Sequence, residues 1–341
     1  MYWKFVTHIW SYLPIGEEVS YTRRIFGCLL VISTAMLCIG YFLKRHRLIR
    51  FGLGFGISIL LLWGCLYLTR PPWLRIAGQS IVPIPTFGEI DWTTRAPGLD
   101  TADLDLYVND EVVDRVVFVR LDPSYYTLSV HYDPTGSRTA EDWQRELGAA
   151  VVVNGSYFGQ TNVPLTPLRS AGKPLGPADY HSDHGAFVTD GNHVEIIDLR
   201  QKDVLKAIAR YPEAMVSYPL LIDANGENRA RETKVWLASR NFIGIDNAGR
   251  VVIGTTQTGF FTLHRLGEFL RKAPLGLRVA LNFDGGPLVS QVVQAGGFSR
   301  QFHGKAEMTN DTDVLRALWH AHVDPPSPLP IVLVAMPLHK Y

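Results

Sequence analysis

The sequence predicts an α+β protein: a single mixed-sheet domain with scattered helices, preceded by a hairpin of two transmembrane helices. Three observations predict it. Two uncharged apolar runs, Ile25–Leu43 and Phe51–Leu68, fall within residues 1–70, and each is long enough to span a bilayer. Beyond residue 100, short β-branched or alternating segments outnumber amphipathic helical ones. The helical segments are scattered between the strands, which fits an α+β layout.

Taken from the N-terminus, the two apolar runs read as spans of a membrane anchor. A cleaved signal peptide has a shorter apolar region and a small-residue cleavage site, and neither is present. Seven residues, Lys44 to Arg50, join the runs, and four of them are Lys or Arg; such density favours a cytoplasmic loop. Lys4, Arg23 and Arg24 on one side and Arg70 and Arg75 on the other compete with it. With the loop inside, the chain is integral to a membrane, such as a bacterial inner membrane, and its C-terminal domain is periplasmic or extracellular. Gly52, Gly54 and Gly56 would let the spans pack closely. Cys28, Cys38 and Cys65 all fall in these runs, which leaves no thiol elsewhere for a disulfide, a metal or a nucleophile. The chain is 47% hydrophobic and 19% charged with a net charge of +1, so it has no electrostatic footprint for nucleic acid.

Residues 71–100 hold Pro71, Pro72, Pro83, Pro85 and Pro97 with little periodicity, the pattern of a semi-rigid linker. A domain over 101–341 follows. Val112–Leu121 and Tyr126–Tyr132 read as strands. Thr139 with Asp142 forms a capping box, and Trp143 and Leu147 share the face of the helix it opens. After the Asn154 block, Pro164, Pro167, Gly172, Pro174, Gly176 and Pro177 are too many breakers for a regular element, and the stretch, with His181-Ser-Asp-His184 within it, reads as a long loop, a place where function often sits. Ala186–Val188 and Val194–Asp198, joined at Asp190-Gly191, form a hairpin; Asp203 caps a helix; Val251–Thr255 is a strand; Leu263, Leu266 and Leu270 mark a helix.

Three stretches carry candidate chemistry. In Arg278–Gly286, Val279, Leu281 and Phe283 face one way while Ala280, Asn282 and Asp284 face the other. Gly285 and Gly286 follow and allow close approach of a ligand to the backbone, although Asp-Gly between apolar runs is also a hairpin-turn signal. Ala149–Phe158 has the same design: an apolar strand ending in Asn154-Gly155, with Tyr157 beyond, and Asn-Gly is again a turn signal. The third, Ala238–Asp246, places Arg240 ahead of an apolar run, where an isolated Arg is ordinarily a solvated surface residue. His181-Ser-Asp-His184 fits no standard zinc spacing, and His320 and His322 would point apart in a predicted helix, so no metal ligand is assigned. No cofactor is called for, and a divalent metal is left open.

In this order the blocks resemble the phosphodiester glycosidase family. The resemblance covers roughly Tyr126 to Leu288 and rests on Asn154–Phe158, on Tyr-Pro-Leu-Leu-Ile-Asp at Tyr218–Asp223, on Ser239–Gly244 and on Ala280–Gly286. It departs after the Gly-Gly pair, where Pro287-Leu288-Val289-Ser290 stands in place of a hydroxyl-rich continuation; Ser290 is a displaced substitute at best. The resemblance implies a mixed α+β domain and hydrolysis of a sugar-1-phosphodiester in a glycan or envelope polymer. A departing phosphate monoester, with a second pKa of about 6, needs less protonation than a sugar alcohol. Asp284 would then be the catalytic carboxylate and Arg240 a bidentate phosphate clamp. Asn154 would hydrogen-bond the sugar, and Gly155, Tyr157, Asn282, Gly285, Gly286 and His184 would form the substrate-binding set, with Tyr157 stacking on the ring. The alternative is a membrane-tethered glycan-binding or envelope-assembly protein that keeps the fold without turnover.

Overall fold

The computed structural model describes residues 17–68, 72–77, 82–182, 184–231, 236–309, 316–317 and 326–338. His320 and His322 lie outside them. The described chain is an α+β fold, mostly sheet with few helices. Its strands form four sheets, and every strand pairing among the described residues is antiparallel. This corrects the expected single mixed sheet. A parallel neighbour needs a crossover of a dozen residues or more, whereas many neighbours here are joined by tight turns. One example is Asn109-Asp110 between Leu99–Val108 and Glu111–Leu121, with φ of 51° and 63°, the left-handed pair that a two-residue hairpin requires.

The eight-stranded sheet includes Leu99–Val108, Glu111–Leu121, Val251–Thr256, Asn241–Asp246, Leu277–Asn282 and Leu220–Ile222 as consecutive neighbours. One five-stranded sheet runs Phe298–His303, Ser290–Ala295, Val151–Asn154, Ile331–Pro337, Tyr126–Tyr132. The other contains the expected hairpin Gly185–Thr189 and Val194–Asp198, together with Glu213–Ser217, Leu168–Ser170 and Lys173–Leu175. These last two strands lie inside the stretch expected to be loop throughout; a hairpin turn at Ala171-Gly172 lets them form despite the neighbouring prolines. A three-stranded sheet holds Trp236–Ala238 and Glu307–Thr309.

Both faces of the eight-stranded sheet are buried, and all six residues of Asn241–Asp246 and of Val251–Thr256 are buried. On one face Val119, Ile243, Leu281 and Phe283 pack with Val151, Val153, Phe187 and Met215 of the two five-stranded sheets. On the other, Phe118, Phe242 and Ala280 meet Leu266, Phe269 and Leu270 of the helix Leu263–Lys272. The alternation expected for Val279 to Asp284 is therefore observed, with Leu281 and Ala280 in opposite cores. The capping box at Thr139 and Asp142 is formed, and Asp203 caps Val204–Ala209. Part of the expected linker carries structure: Pro72–Ala77 is helical, and Leu74, Ile76 and Ala77 are buried in the second core.

The N-terminal segment is a pair of packed helices, Glu17–Phe42 and His46–Leu68. Gly52 and Gly56 face the neighbouring helix, where an added Cβ would lie 3.2 Å from Met36 Cβ and 2.7 Å from Ser33 Oγ. Gly54 faces away. Ser33 Oγ donates to the Gly52 carbonyl at 2.6 Å. Among the described residues no helix is long and apolar enough to cross a membrane.

One buried acid gives the fold a pH dependence. Asp114 is 1% exposed, and its Oδ1 accepts from the backbone N–H groups of Arg115, Gln257 and Thr258 at 2.8 to 3.0 Å. Burial raises its pKa to about 7 against the opposing effect of these bonds. A raised native pKa means that its contribution to stability is fully present below about pH 4 and fades as pH climbs through 7. We expect unfolding free energy to fall over that interval by up to roughly 4 kcal/mol from this group. Asp114→Asn, which keeps an acceptor for the three N–H groups, should flatten the profile in urea titrations from pH 4 to 8; an unchanged slope in the variant would contradict the assignment.

Candidate active site

The site forms where the Val151–Asn154 and Leu277–Asn282 strands, from two different sheets, end side by side. Beyond Asn282 the backbone is held on both sides: Phe283 N donates to the Asn241 carbonyl at 2.9 Å and Asp284 N to the Gly155 carbonyl at 3.0 Å. Asn154, 2% exposed, fixes the junction with its side chain. Its Nδ2 donates to the Asp284 carbonyl at 2.8 Å, while its Oδ1 accepts from Asn241 Nδ2 at 2.9 Å and Ser290 N at 3.0 Å. These bonds correct the expected sugar contact: Asn154 is a positioning residue whose amide is engaged with the protein. Gly155 is likewise a packing residue, because an added Cβ would lie 2.6 Å from Ile331 Cγ2 and 2.9 Å from Met215 Sδ.

Asp284 is partly exposed, and its Oδ1 accepts from Gly285 N at 2.8 Å. Asp-Gly is not a hairpin turn here; the chain continues into a 3-10 turn at Gly286–Leu288. Gly286 has φ of 74°, and an added Cβ would meet Glu307 Oε2 at 2.6 Å. A Cβ on Gly285 would come within 3.0 Å of the Ser239 carbonyl and 3.3 Å of Arg240 Nη1. The two glycines thus let a guanidinium and a second carboxylate press against the backbone beside Asp284. Glu307 accepts from Trp236 Nε1 at 3.0 Å. The sequence reading missed it because it follows no glycine or recognised block; the signal is spatial, from the pairing of Trp236–Ala238 with Glu307–Thr309.

Arg240 is 5% exposed, not a solvated surface residue. Its Nε donates to the Phe261 carbonyl at 3.2 Å and its Nη2 to the Trp236 carbonyl at 2.7 Å. The bidentate clamp is therefore corrected: two nitrogens of the fork are committed to main-chain carbonyls, and Nη1 is the one turned to Gly285. Burial lowers its pKa to about 10, with Tyr157, Glu307 and Asp284 acting in the opposite sense, so it stays cationic at neutral pH.

Asn282 is fully buried and donates from Nδ2 to Tyr157 Oη at 2.8 Å and to the Tyr218 carbonyl at 3.0 Å. This also corrects a substrate-binding assignment, since the side chain reaches the cleft only through Tyr157. Tyr157 in turn donates to the Tyr218 carbonyl at 2.9 Å. Burial, and then the Asp284 charge, raise the Tyr157 pKa well above the usual phenol value. Its ring stacks on Tyr218, which stacks on His184, each step 4.3 Å between centroids. One face of Tyr157 is thereby covered by protein. His184 Nδ1 sits 2.8 Å from Tyr180 Oη, whereas His181 pairs with Asp179 at the surface, so the two histidines do not converge. Among the described residues no cluster of His, Cys, Asp and Glu could hold a metal. On the His184 side the stack borders a cleft of about 470 Å³, whose lining includes Pro219, Leu220, Arg229, Arg231 and Leu263.

Ser290 does not stand in for the missing hydroxyls. It is fully buried, with Oγ 3.1 Å from His303 Nδ1, and His303 Nε2 is 3.0 Å from Glu141 Oε1. This set braces the strand from which Ser290 N reaches Asn154.

A partly exposed carboxylate, Asp284, and a buried cation, Arg240, thus meet at one two-glycine turn beside an aromatic stack. Residues 147–316, which supply Asn154, Tyr157, Tyr218, Arg240, Asp284 and Glu307, match the family model of phosphodiester glycosidases. The chain is similar to the zebrafish N-acetylglucosamine-1-phosphodiester alpha-N-acetylglucosaminidase catalytic domain auto-inhibited by pro-peptide. That similarity has 16% identity and a TM-score of 0.48, over 76% of this chain and 85% of that one. It is also similar to a hypothetical protein from Synechocystis, with 16% identity and a TM-score of 0.46, over 73% of this chain and 64% of that one. No curated protein matches the sequence.

Asn154→Ala would strip acceptors from Asn241 and Ser290 and a donor from Asp284. At about 1 to 3 kcal/mol for each of these three buried groups deprived of the Asn154 amide, we expect a loss of roughly 3 kcal/mol or more in urea unfolding. A loss under about 1 kcal/mol would show that the junction does not depend on this amide.

Proposed function

We propose that this chain is a membrane-anchored, extracytoplasmic hydrolase that cleaves the sugar-1-phosphodiester bond of a glycan or envelope polymer. The family match of residues 147–316 supports a hydrolase. The observation that carries the narrower reading is the meeting of Asp284 and Arg240 at Gly285.

In this mechanism Asp284 faces the anomeric carbon and its negative charge stabilises the developing oxocarbenium ion. Arg240 Nη1 and the positive field of the buried guanidinium favour the departing phosphate, and burial strengthens that field relative to water. Glu307, across Gly286, is the second carboxylate and activates the attacking water. The Tyr157 hydroxyl stays protonated and holds the Tyr218 segment in place.

Asp284→Asn is nearly isosteric, and its Oδ1 can still accept from Gly285 N. We expect wild-type melting and a drop of roughly a hundredfold or more in the hydrolysis of a sugar-1-phosphodiester. Wild-type turnover in the folded variant would remove Asp284 from the chemistry. Sugar-phosphate binding without turnover in the wild type would favour the non-catalytic glycan-binding reading.

Support for the anchor comes from the outer faces of the two N-terminal helices. Val31, Ile39, Leu53, Ile57, Leu60 and Leu61 are each at least half exposed, and a contiguous apolar surface of this kind suits lipid. The basic loop Lys44–Arg50 supports a domain outside the cytoplasm. An alkaline phosphatase fused after Tyr341 should be active in cells; an inactive fusion, with an active cytoplasmic reporter at the same point, would reverse the orientation.

A further inference from the structure

The cleft beyond Tyr218 has a chemistry of its own. Its floor is apolar, from Pro219, Leu220 and Leu263, and among the described residues its polar lining is Ser182, His184, Tyr218, Arg229 and Arg231. A volume of about 470 Å³ is that of a small-molecule site, larger than one sugar hydroxyl or phosphate oxygen would require. The two arginines are not equivalent. Arg229 Nη1 lies 3.1 Å from Asp198 and 3.8 Å from Asp223, two acids that also pair with Arg200 at 2.8 and 3.1 Å. This closed set of two cations and two anions holds Arg229 in place. Arg231 is exposed, lines the cleft and, among the described residues, lies outside this set.

Position supplies the second part of the argument. The stack Tyr157, Tyr218, His184 joins the Asp284 turn to this cleft in two steps of 4.3 Å. The cleft therefore adjoins the far end of an aromatic stack whose first ring, Tyr157, is bonded to Asn282 beside the Asp284 turn. Resting on the reading of Asp284 as the hydrolytic carboxylate, we propose that the cleft is the aglycone subsite and that its aglycone carries a second phosphate, recognised by Arg231. The substrate class is then a sugar-1-phosphodiester whose leaving group is itself phosphorylated, as in a polymer with repeating phosphodiesters. Guanidinium recognition of phosphate oxygens sets the specificity, and the apolar floor holds the carbon skeleton between the phosphates.

The test uses the full chain in detergent and two substrates with the same sugar, one with a methyl aglycone and one with a glycerol phosphate aglycone. We expect kcat/KM to favour the phosphorylated substrate by about tenfold, through KM, the range of one charge-assisted contact. In Arg231→Gln that ratio should fall towards one. Arg231 is the residue to change because loss of Arg229 would leave Asp198 and Asp223 to share Arg200 alone. Equal wild-type efficiencies, or a ratio unchanged in Arg231→Gln, would overturn the proposal. Calorimetry of glycerol phosphate binding to Asp284→Asn provides a readout without turnover. Binding lost on adding Arg231→Gln supports the subsite even if neither substrate is hydrolysed, a result that would count against the hydrolase reading alone. Inorganic phosphate binding as tightly as glycerol phosphate would mark a free-phosphate site and overturn the aglycone assignment.

Discussion

The side-chain amide of Asn154 is the interaction on which the rest of the site depends. One planar group, shielded from water, donates to the carbonyl of Asp284 and accepts from the side chain of Asn241 and the backbone of Ser290. These partners belong to two different sheets, so the amide joins sheets at the point where their strands run out. No aliphatic side chain could replace it, because the Asp284 carbonyl and the Ser290 N–H would each lose this bond, while Asn241 Nδ2 would keep its 3.3 Å contact with the Asn154 carbonyl. A carboxylate would place charge where a donor is needed. The position of Asp284 follows from this junction, and Gly155 completes it by accepting from Asp284 N.

Around that junction the electrostatics follow from burial. Arg240 is held by two carbonyls rather than by a carboxylate, so its charge is not cancelled by a tight ion pair. Its cation is felt by Tyr157, and Asp284 and Glu307 in turn favour the charged form of Arg240. Such an arrangement keeps a positive field directed at the glycine turn without a flexible side chain to reorganise, the condition under which preorganised groups act most strongly on developing charge. The backbone takes part as well. With Gly285 and Gly286 bare of side chains, Arg240 and Glu307 approach from opposite neighbours of the same turn.

Much of this was legible in the sequence. The period-two pattern through Val279 to Phe283 reported a strand buried on both faces, because alternation reads directly on a pleated sheet. The capping signals at Thr139 and Asp203 were local, and local chemistry is preserved in the fold. The blocks that carry Asn154, Arg240 and Asp284 were visible in the sequence, but the partners of these side chains were not. Whether an Asn points to solvent or into a junction depends on partners far along the chain, here Asn241 and Ser290. Glu307 was invisible for the same reason, since only strand pairing brings it to Gly286. The antiparallel character of every sheet was also hidden, because strand patterns fix which face a residue takes and not which neighbour it meets.

The most direct test of this account is a crystal structure of Asp284→Asn with an intact sugar-1-phosphodiester. The account predicts the anomeric carbon beside residue 284, a phosphate oxygen within hydrogen-bond distance of Arg240 Nη1 or the Gly285 backbone, and the aglycone running past Tyr218 towards Arg231. A ligand bound with its phosphate remote from Arg240, or with the Gly285 turn closed against it, would contradict the central claim that the Asn154 junction exists to set a carboxylate and a cation at one glycosidic bond.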